Sequence, residues 1–178
     1  MMKILTFITL ILLNMTNLQA KNIDPKNILV IETKYGKTEF ELLPNLAPNH
    51  VERIRTLANQ GFYDGVVFHR VINGFMAQTG DPTGTGTGGS DLPDLKAEFS
   101  DEPHIKGVLS MARAMNPHSA NSQFFIMLDN SPHLDGQYSV FGRVIKGMEF
   151  IDKIKKGDGA NGMVSNPDKM IKVRTIKP

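Results

Sequence analysis

Val66-Val67-Phe68-His69-Arg70-Val71-Ile72-Asn73-Gly74-Phe75-Met76-Ala77-Gln78-Thr79-Gly80-Asp81 sets two β-rich segments, 66–72 and 75–79, on either side of Asn73-Gly74, the commonest sequence for a tight hairpin turn. With a period of two, Arg70 falls on the same face as Phe68 and Ile72, not among polar residues. A lone arginine so placed can lay its apolar stem along the core and reach water with its head. Gln78, in Phe75-Met76-Ala77-Gln78, repeats the anomaly. So does Ser122-Gln123-Phe124-Phe125-Ile126, where Gln123, Phe125 and Met127 share one side. Faces of this kind, brought together, make an apolar pocket with a few convergent polar groups, the usual build of a small-ligand site.

Around this hairpin the chain alternates short β-rich runs with turn residues. Residues 28–33 and 38–42 form a first hairpin about Tyr35-Gly36-Lys37. Pro48 opens a helix over 48–60, with Val51, Ile54, Leu57 and Ala58 on one face and Gly61 as its stop. Further strands are expected at 95–99, 108–112, 123–128, 140–145 and 170–176, and a second helix at 148–155 that buries Phe150, Ile151 and Ile154. Residues 83–89 are too rich in glycine for regular structure. A mainly β domain with about eight short strands and two helices predicts a closed antiparallel β-barrel capped by two α-helices, because closure removes the exposed edges of so many strands.

With 178 residues, 40% of them hydrophobic, the chain can bury one sizeable core, and a single domain is expected over 21–178. Twenty basic and eighteen acidic residues, scattered along the chain, leave a net charge of +2 and argue against partners such as nucleic acid or a membrane surface. The first residues have a different composition: Lys3, then a largely apolar run over 4–13, then Asn17-Leu18-Gln19-Ala20. This pattern predicts a secretory signal peptide over 1–20, cut after Ala20. Its apolar run is about half the roughly 20 residues that a membrane-spanning helix needs. The mature chain would start at Lys21 with charge +1, one positive charge having left with Lys3, and would reside in the periplasm or be secreted. The absence of cysteine excludes disulfide staples and thiol chemistry.

The segment 68–81 resembles the long signature segment of cyclophilins. Gly86-Thr87-Gly88-Gly89, Glu98-Phe99, Gly107-Val108-Leu109-Ser110-Met111-Ala112-Arg113-Ala114, Ser122-Gln123-Phe124-Phe125-Ile126 and Val140-Phe141-Gly142-Arg143-Val144 also fit, in family order, so the resemblance spans 28–176. It implies a peptidyl-prolyl cis-trans isomerase: an eight-stranded barrel with a groove on its outer face for a proline-containing peptide in an unfolded or folding protein. Phe75, Met76, Phe125 and Leu134 would form the proline pocket. Arg70 and Gln78 would be catalytic and hold the reacting peptide bond. Gln123 and the backbone of Ala112, Arg113 and Ala114 would line the groove for the preceding residues, with Gly86 and Tyr138 completing the substrate-binding set. The chemistry implied uses no cofactor and no metal, and the expected state is a monomer. Three positions depart from the eukaryotic pattern: His133 stands where many members carry Trp, Tyr138 where they carry His, and Arg113 where Asn is common. Loss of the indole N–H at His133 implies weak inhibition by cyclosporin, and a nanomolar inhibition constant would contradict this.

Other readings of the same residues are weaker. The glycine-rich 83–89 lacks the Gly-Lys-Ser/Thr ending and following helix of a phosphate loop. His69, His104, His118 and His133 match no common zinc spacing and read as packing or surface residues. Ser110 and Ser119 sit in no nucleophile-elbow sequence. A holdase that binds proline segments without rotating them would show loss of Arg70, Phe75 or Gln78, and all three are present.

Overall fold

The computed structural model describes residues 23–176, so the expected signal peptide lies outside the described residues. Eight strands form one antiparallel sheet: β1 (Ile28–Thr33), β2 (Gly36–Leu42), β3 (Arg70–Ile72), β4 (Met76–Thr79), β5 (Val108–Met111), β6 (Phe124–Met127), β7 (Val140–Lys146) and β8 (Lys172–Thr175). Their order across the sheet is β3-β4-β6-β5-β7-β2-β1-β8. Two helices, α1 (Pro48–Asn59) and α2 (Met148–Ile151), accompany it.

The sheet is curled into a half-barrel. Its end strands β3 and β8 share no ladder. The stretches that precede them are linked by three backbone bonds: Gly65 N–H to Met170 O (2.7 Å), Phe68 N–H to Asp168 O (2.8 Å) and Met170 N–H to Val66 O (2.9 Å). The inner face carries the main core, with Leu29, Ile31, Phe40, Val71, Ala77, Leu109, Phe124, Ile126, Phe141 and Val173 packed around Val51, Ile54, Leu57 and Ala58 of α1. A second apolar cluster lies on the outer face and contains Met76, Val108, Phe125, Met127, Leu134 and Val140. Every residue of β5 and β6 is buried, so these strands have no solvated face.

Four expectations need correction. Residues 66–72 are not one strand. Phe68 joins Val66 and Val71 in the main core, which strict alternation forbids because 68 and 71 have opposite parity. The chain therefore breaks step at Phe68–His69, regular pairing starts at Arg70, and Arg70 shares its outer face with Ile72 but not with Phe68. Residues 95–99 form no strand beyond a single bridge from Leu95 to Ala120. Glu98 is instead drawn to the start of α1, whose cap residue Ala47 offers no side-chain acceptor. Its carboxylate accepts from the backbone N–H groups of Asn49 and His50 and from the Asn49 amide, and meets the His50 ring Nδ1 at 2.6 Å, satisfying donors a helix cannot pair internally.

The second helix ends at Ile151, not Lys155, because the Lys155 N–H donates to the Asp168 carboxylate (2.9 Å). Ile151 and Ile154 are still buried, while Phe150 is only half-buried. The last strand is shorter than 170–176 because Met170 pairs with Val66 and the Ile171 N–H donates to Glu32 O (2.7 Å).

One close approach ties the end of β4 to the start of β6. Gly80 has φ +87°, and a Cβ there would lie 2.4 Å from Ser122 O and 2.9 Å from Gln123 Cα. The two backbones are clamped by Ser122 Oγ donating to Gly80 O (2.8 Å) and by the buried Tyr63 hydroxyl donating to Ser122 O (2.9 Å). Gly80→Ala is expected to lower unfolding free energy by about 3 kcal/mol in urea titration. A loss under about 0.5 kcal/mol, the range of ordinary surface substitutions, would show that the approach is not constraining.

Candidate active site

The ladder registers build the site directly. Arg70 pairs with Gln78 across β3 and β4, Gln78 with Phe125 across β4 and β6, and Phe125 with Ser110 across β6 and β5. Paired residues project to the same face, so Arg70, Gln78, Phe125 and Ser110 stand four abreast on the outer side. The next row is Ile72, Met76 and Met127.

Two hollows open on this face. A small one of about 150 Å³ is lined by Arg70, Phe75, Met76, Gln78, Ala112, Arg113, Phe125, Leu134 and Tyr138. The Phe125 and Tyr138 rings meet edge to face, with centroids 5.6 Å apart, and the His133 ring leans over Phe75 at 5.8 Å. A larger one of about 570 Å³ is more polar and lies between Gly86–Ser90 of the glycine-rich loop and Ala112, Arg113, Ala114 and Gln123. All twelve residues singled out from the sequence border one hollow or the other.

A directed chain of hydrogen bonds joins them. Arg70 is held from behind, its Nε donating to Asn161 O (2.9 Å), and its Nη1 donates to Gln78 Oε1 (3.3 Å). Guanidinium can only donate, so the Gln78 amide must turn its oxygen towards Arg70 and its NH2 away. That NH2 donates to Gln123 Oε1 (2.9 Å), and Gln123 Nε2 donates to the carbonyls of Gly86 (3.1 Å) and Gly88 (2.8 Å). Every amide orientation follows from the first donor.

The loop that accepts this chain is shaped from beneath by Asp81, which is fully buried. Oδ1 accepts from the Thr83 N–H (2.7 Å) and hydroxyl (2.8 Å), and Oδ2 from the Gly86 N–H (2.6 Å). Burial alone would raise the Asp81 carboxyl, but the bonds from Thr83, Gly88 and Gly86 outweigh it and hold its pKa at about 2. Residues 83–89 form no helix or strand, as their glycine content predicts, and nothing in the sequence around Asp81 marks it as the group that shapes them.

Behind Phe125, Ser110 Oγ, His104 and Asp135 line up: His104 Nε2 lies 3.1 Å from Ser110 Oγ and Nδ1 2.9 Å from Asp135 Oδ1. The order is that of a hydrolase triad, yet Ser110 and His104 are 0% and 1% exposed and the Ser110 hydroxyl donates to Ser139 O. No substrate carbonyl can reach the hydroxyl. The His104 ring stacks on Phe125 at 6.3 Å, so the group supports the pocket floor. Among the described residues no group of three His, Asp or Glu side chains is arranged to hold a metal ion, and no helix is long and apolar enough to cross a membrane.

A family model described as cyclophilin type peptidyl-prolyl cis-trans isomerase matches residues 28–177. The chain belongs to this family. A probable peptidyl-prolyl cis-trans isomerase from Brucella suis is 54% identical over 165 residues, covering 86% of this chain and 84% of that protein. Peptidyl-prolyl cis-trans isomerase B of Bacillus subtilis is 49% identical over 125 residues, 69% of this chain and 86% of that one. A cyclophilin structure from Hirschia baltica superposes with TM-score 0.77 at 31% identity, covering 86% of this chain and 75% of that one. A Cryptosporidium parvum cyclophilin-type isomerase, solved in the presence of the dipeptide Ala-Pro, gives the same score and identity over 85% of this chain and 99% of that one. The protein is thus a peptidyl-prolyl cis-trans isomerase, and the resemblance that its hairpin segment carries is confirmed over the whole domain.

Because the folded pKa of Asp81 lies below the ordinary 3.8, its stabilising effect is complete above about pH 4 and is lost as pH falls towards 2. The shift corresponds to about 2 kcal/mol. Asp81→Asn should lose about that much stability at pH 7 by urea titration, with the gap to the native protein closing towards pH 2. A gap unchanged from pH 7 to pH 2 would contradict the assignment.

Proposed function

We propose that this isomerase acts on X-Pro bonds of proteins folding after export, that the small hollow grips the proline ring, and that Arg70 is the catalytic donor. The carrying observation is a guanidinium at the edge of an apolar hollow, fixed by Asn161 and Gln78 and facing no carboxylate within 4 Å among the described residues.

An X-Pro bond rotates over a barrier of about 18 to 20 kcal/mol because the nitrogen lone pair is delocalised into the carbonyl. A hydrogen bond donated to the prolyl nitrogen draws that pair out of resonance. The nitrogen accepts best when it has pyramidalised in the twisted state, so the interaction favours the transition state over both planar ground states. Arginine suits the task, being always charged and only a donor.

Raising a spontaneous rate of order 10⁻² per second to order 10³ per second requires about 7 kcal/mol. One charge-assisted hydrogen bond is worth roughly 1.5 to 3 kcal/mol. The remainder falls to Phe75, Met76, Phe125, Leu134 and Tyr138, which hold the ring while the preceding carbonyl swings past Gln78, and to the field of a site partly shielded from water.

Export is supported by the composition of residues 1–20, which fits a signal peptide cut after Ala20; the mature enzyme would then reside in the periplasm or outside the cell. Its substrates there would be unfolded or folding chains, bound by a monomer whose half-barrel would be closed by the backbone bonds between residues 65–68 and 168–170. The Ala-Pro dipeptide used with the Cryptosporidium relative supports a proline-centred site.

Arg70→Ala is expected to reduce kcat/KM on a short Ala-Pro peptide by about 10- to 150-fold, the equivalent of one charge-assisted bond. A protease-coupled assay measures this, and a near-normal kcat/KM would remove Arg70 from the role.

A further inference from the structure

Of the residues lining the two hollows, only Arg70, Arg113 and Asp94 carry a charge. Gln78, Ala112 and Arg113 line both hollows. They mark the saddle that a peptide crosses when its proline fills the small hollow and the residues before it run into the large one. Asp94 lines the large hollow alone, where it accepts from the Asn121 amide (3.1 Å). The saddle itself therefore carries a single charge, the Arg113 guanidinium, with Arg70 on the small-hollow side of it and Asp94 on the large-hollow side.

Arg113 is fixed there by neutral partners. Its Nε and Nη2 donate to Gln137 O (3.2 and 3.0 Å), and Nη1 donates to Ala114 O (3.0 Å) and Met115 O (3.4 Å). The guanidinium carbon lies 4.6 Å from the centre of the Tyr138 ring. Among the described residues no carboxylate lies within 4 Å of it, so its charge is oriented without being neutralised. A guanidinium has five N–H groups, and these four donations leave one on Nη2 for an incoming acceptor. Because the head is already immobilised, pairing it with a carboxylate costs little further side-chain ordering.

We propose that Arg113 sets the substrate class of this isomerase: peptides with Asp or Glu one or two positions before the proline are preferred, and those with Lys or Arg there are disfavoured. The proposal rests on the reading that the small hollow holds the proline. Discrimination arises from both signs, attraction of the acidic side chain and repulsion of the basic one at a saddle that carries Arg113 and has Arg70 in the adjoining small hollow. Neutral carbonyls and a ring face orient Arg113 without competing for its charge, which makes it a specificity determinant and not a structural ion pair.

The test measures kcat/KM by exchange NMR on four capped peptides that differ only in Glu, Gln, Leu or Lys immediately before the proline. The expected Glu-to-Lys ratio is roughly tenfold at low ionic strength, narrowing below about twofold in 0.5 M sodium chloride. In Arg113→Gln the low-salt ratio should fall to about threefold or less, and Arg113→Lys should restore part of it. A native ratio within about twofold at low salt, or one undiminished in Arg113→Gln, would overturn the proposal. Should Arg113→Gln fail to fold, a native ratio that ignores salt would overturn it equally. Acceleration of all four peptides without charge order refutes the selectivity alone, whereas no acceleration of any would overturn the isomerase site as well.

Discussion

Phe124 and Phe125 are neighbours in a strand, so they point to opposite sides of the sheet, and both are buried. That pair of burials requires a core on each face. Phe124 packs inside with Phe141 and Tyr63, while Phe125 packs outside with Met76, Leu134 and Tyr138. Full burial of one such side chain is worth about 1.5 to 3 kcal/mol, so neither face can be released without a large loss. The face that carries the candidate active site is therefore the back of the structural core, and it inherits the rigidity of strands packed on both sides. This is the condition for holding a donor to within a fraction of an ångström of where a twisted amide needs it.

The polar groups of the site extend the same logic. Arg70 cannot accept, which sets the Gln78 amide, which sets the Gln123 amide, which ends on two carbonyls of the glycine-rich loop. The loop carries no catalytic side chain in this scheme. It supplies acceptors at a fixed place, and Asp81 fixes that place from below. Gly80 sits where the two systems meet, permitting β4 to approach Ser122 and Gln123 closely enough for the amides to touch. Stability and chemistry thus share residues between 78 and 88.

Much of this was legible in the order of residue types. Asn73-Gly74 locates the hairpin, but a two-residue turn there would pair Arg70 with Ala77; Phe75 joins the loop, Ile72 pairs with Met76, and the register moves by one to Arg70–Gln78. The alternation in 123–127 separates Phe125 from Phe124. These are local signals with a period. What could not be read were long-range choices made by single carboxylates. Glu98 caps α1 instead of extending a strand, Asp168 stops α2, and Asp135 binds the buried His104. Each has an acceptor to satisfy, but nothing in the neighbouring sequence says which donor it will meet. The break at Phe68–His69 was hidden for a related reason: a run of β-formers shows no sign that the core wants residues of both parities.

In the proposed mechanism, rotation on the enzyme is set by donors oriented through the Arg70–Gln78–Gln123 chain, and not merely by capture of the proline. Gln123→Leu cuts the chain from its anchor in the loop while leaving the small hollow intact. Exchange NMR on an Ala-Pro peptide gives the rate of rotation in the bound state and the affinity separately. The expected result is a fall in the bound-state rate of about tenfold, the equivalent of one hydrogen bond, with affinity changed by less than about threefold. An unchanged bound-state rate with weakened binding would contradict it.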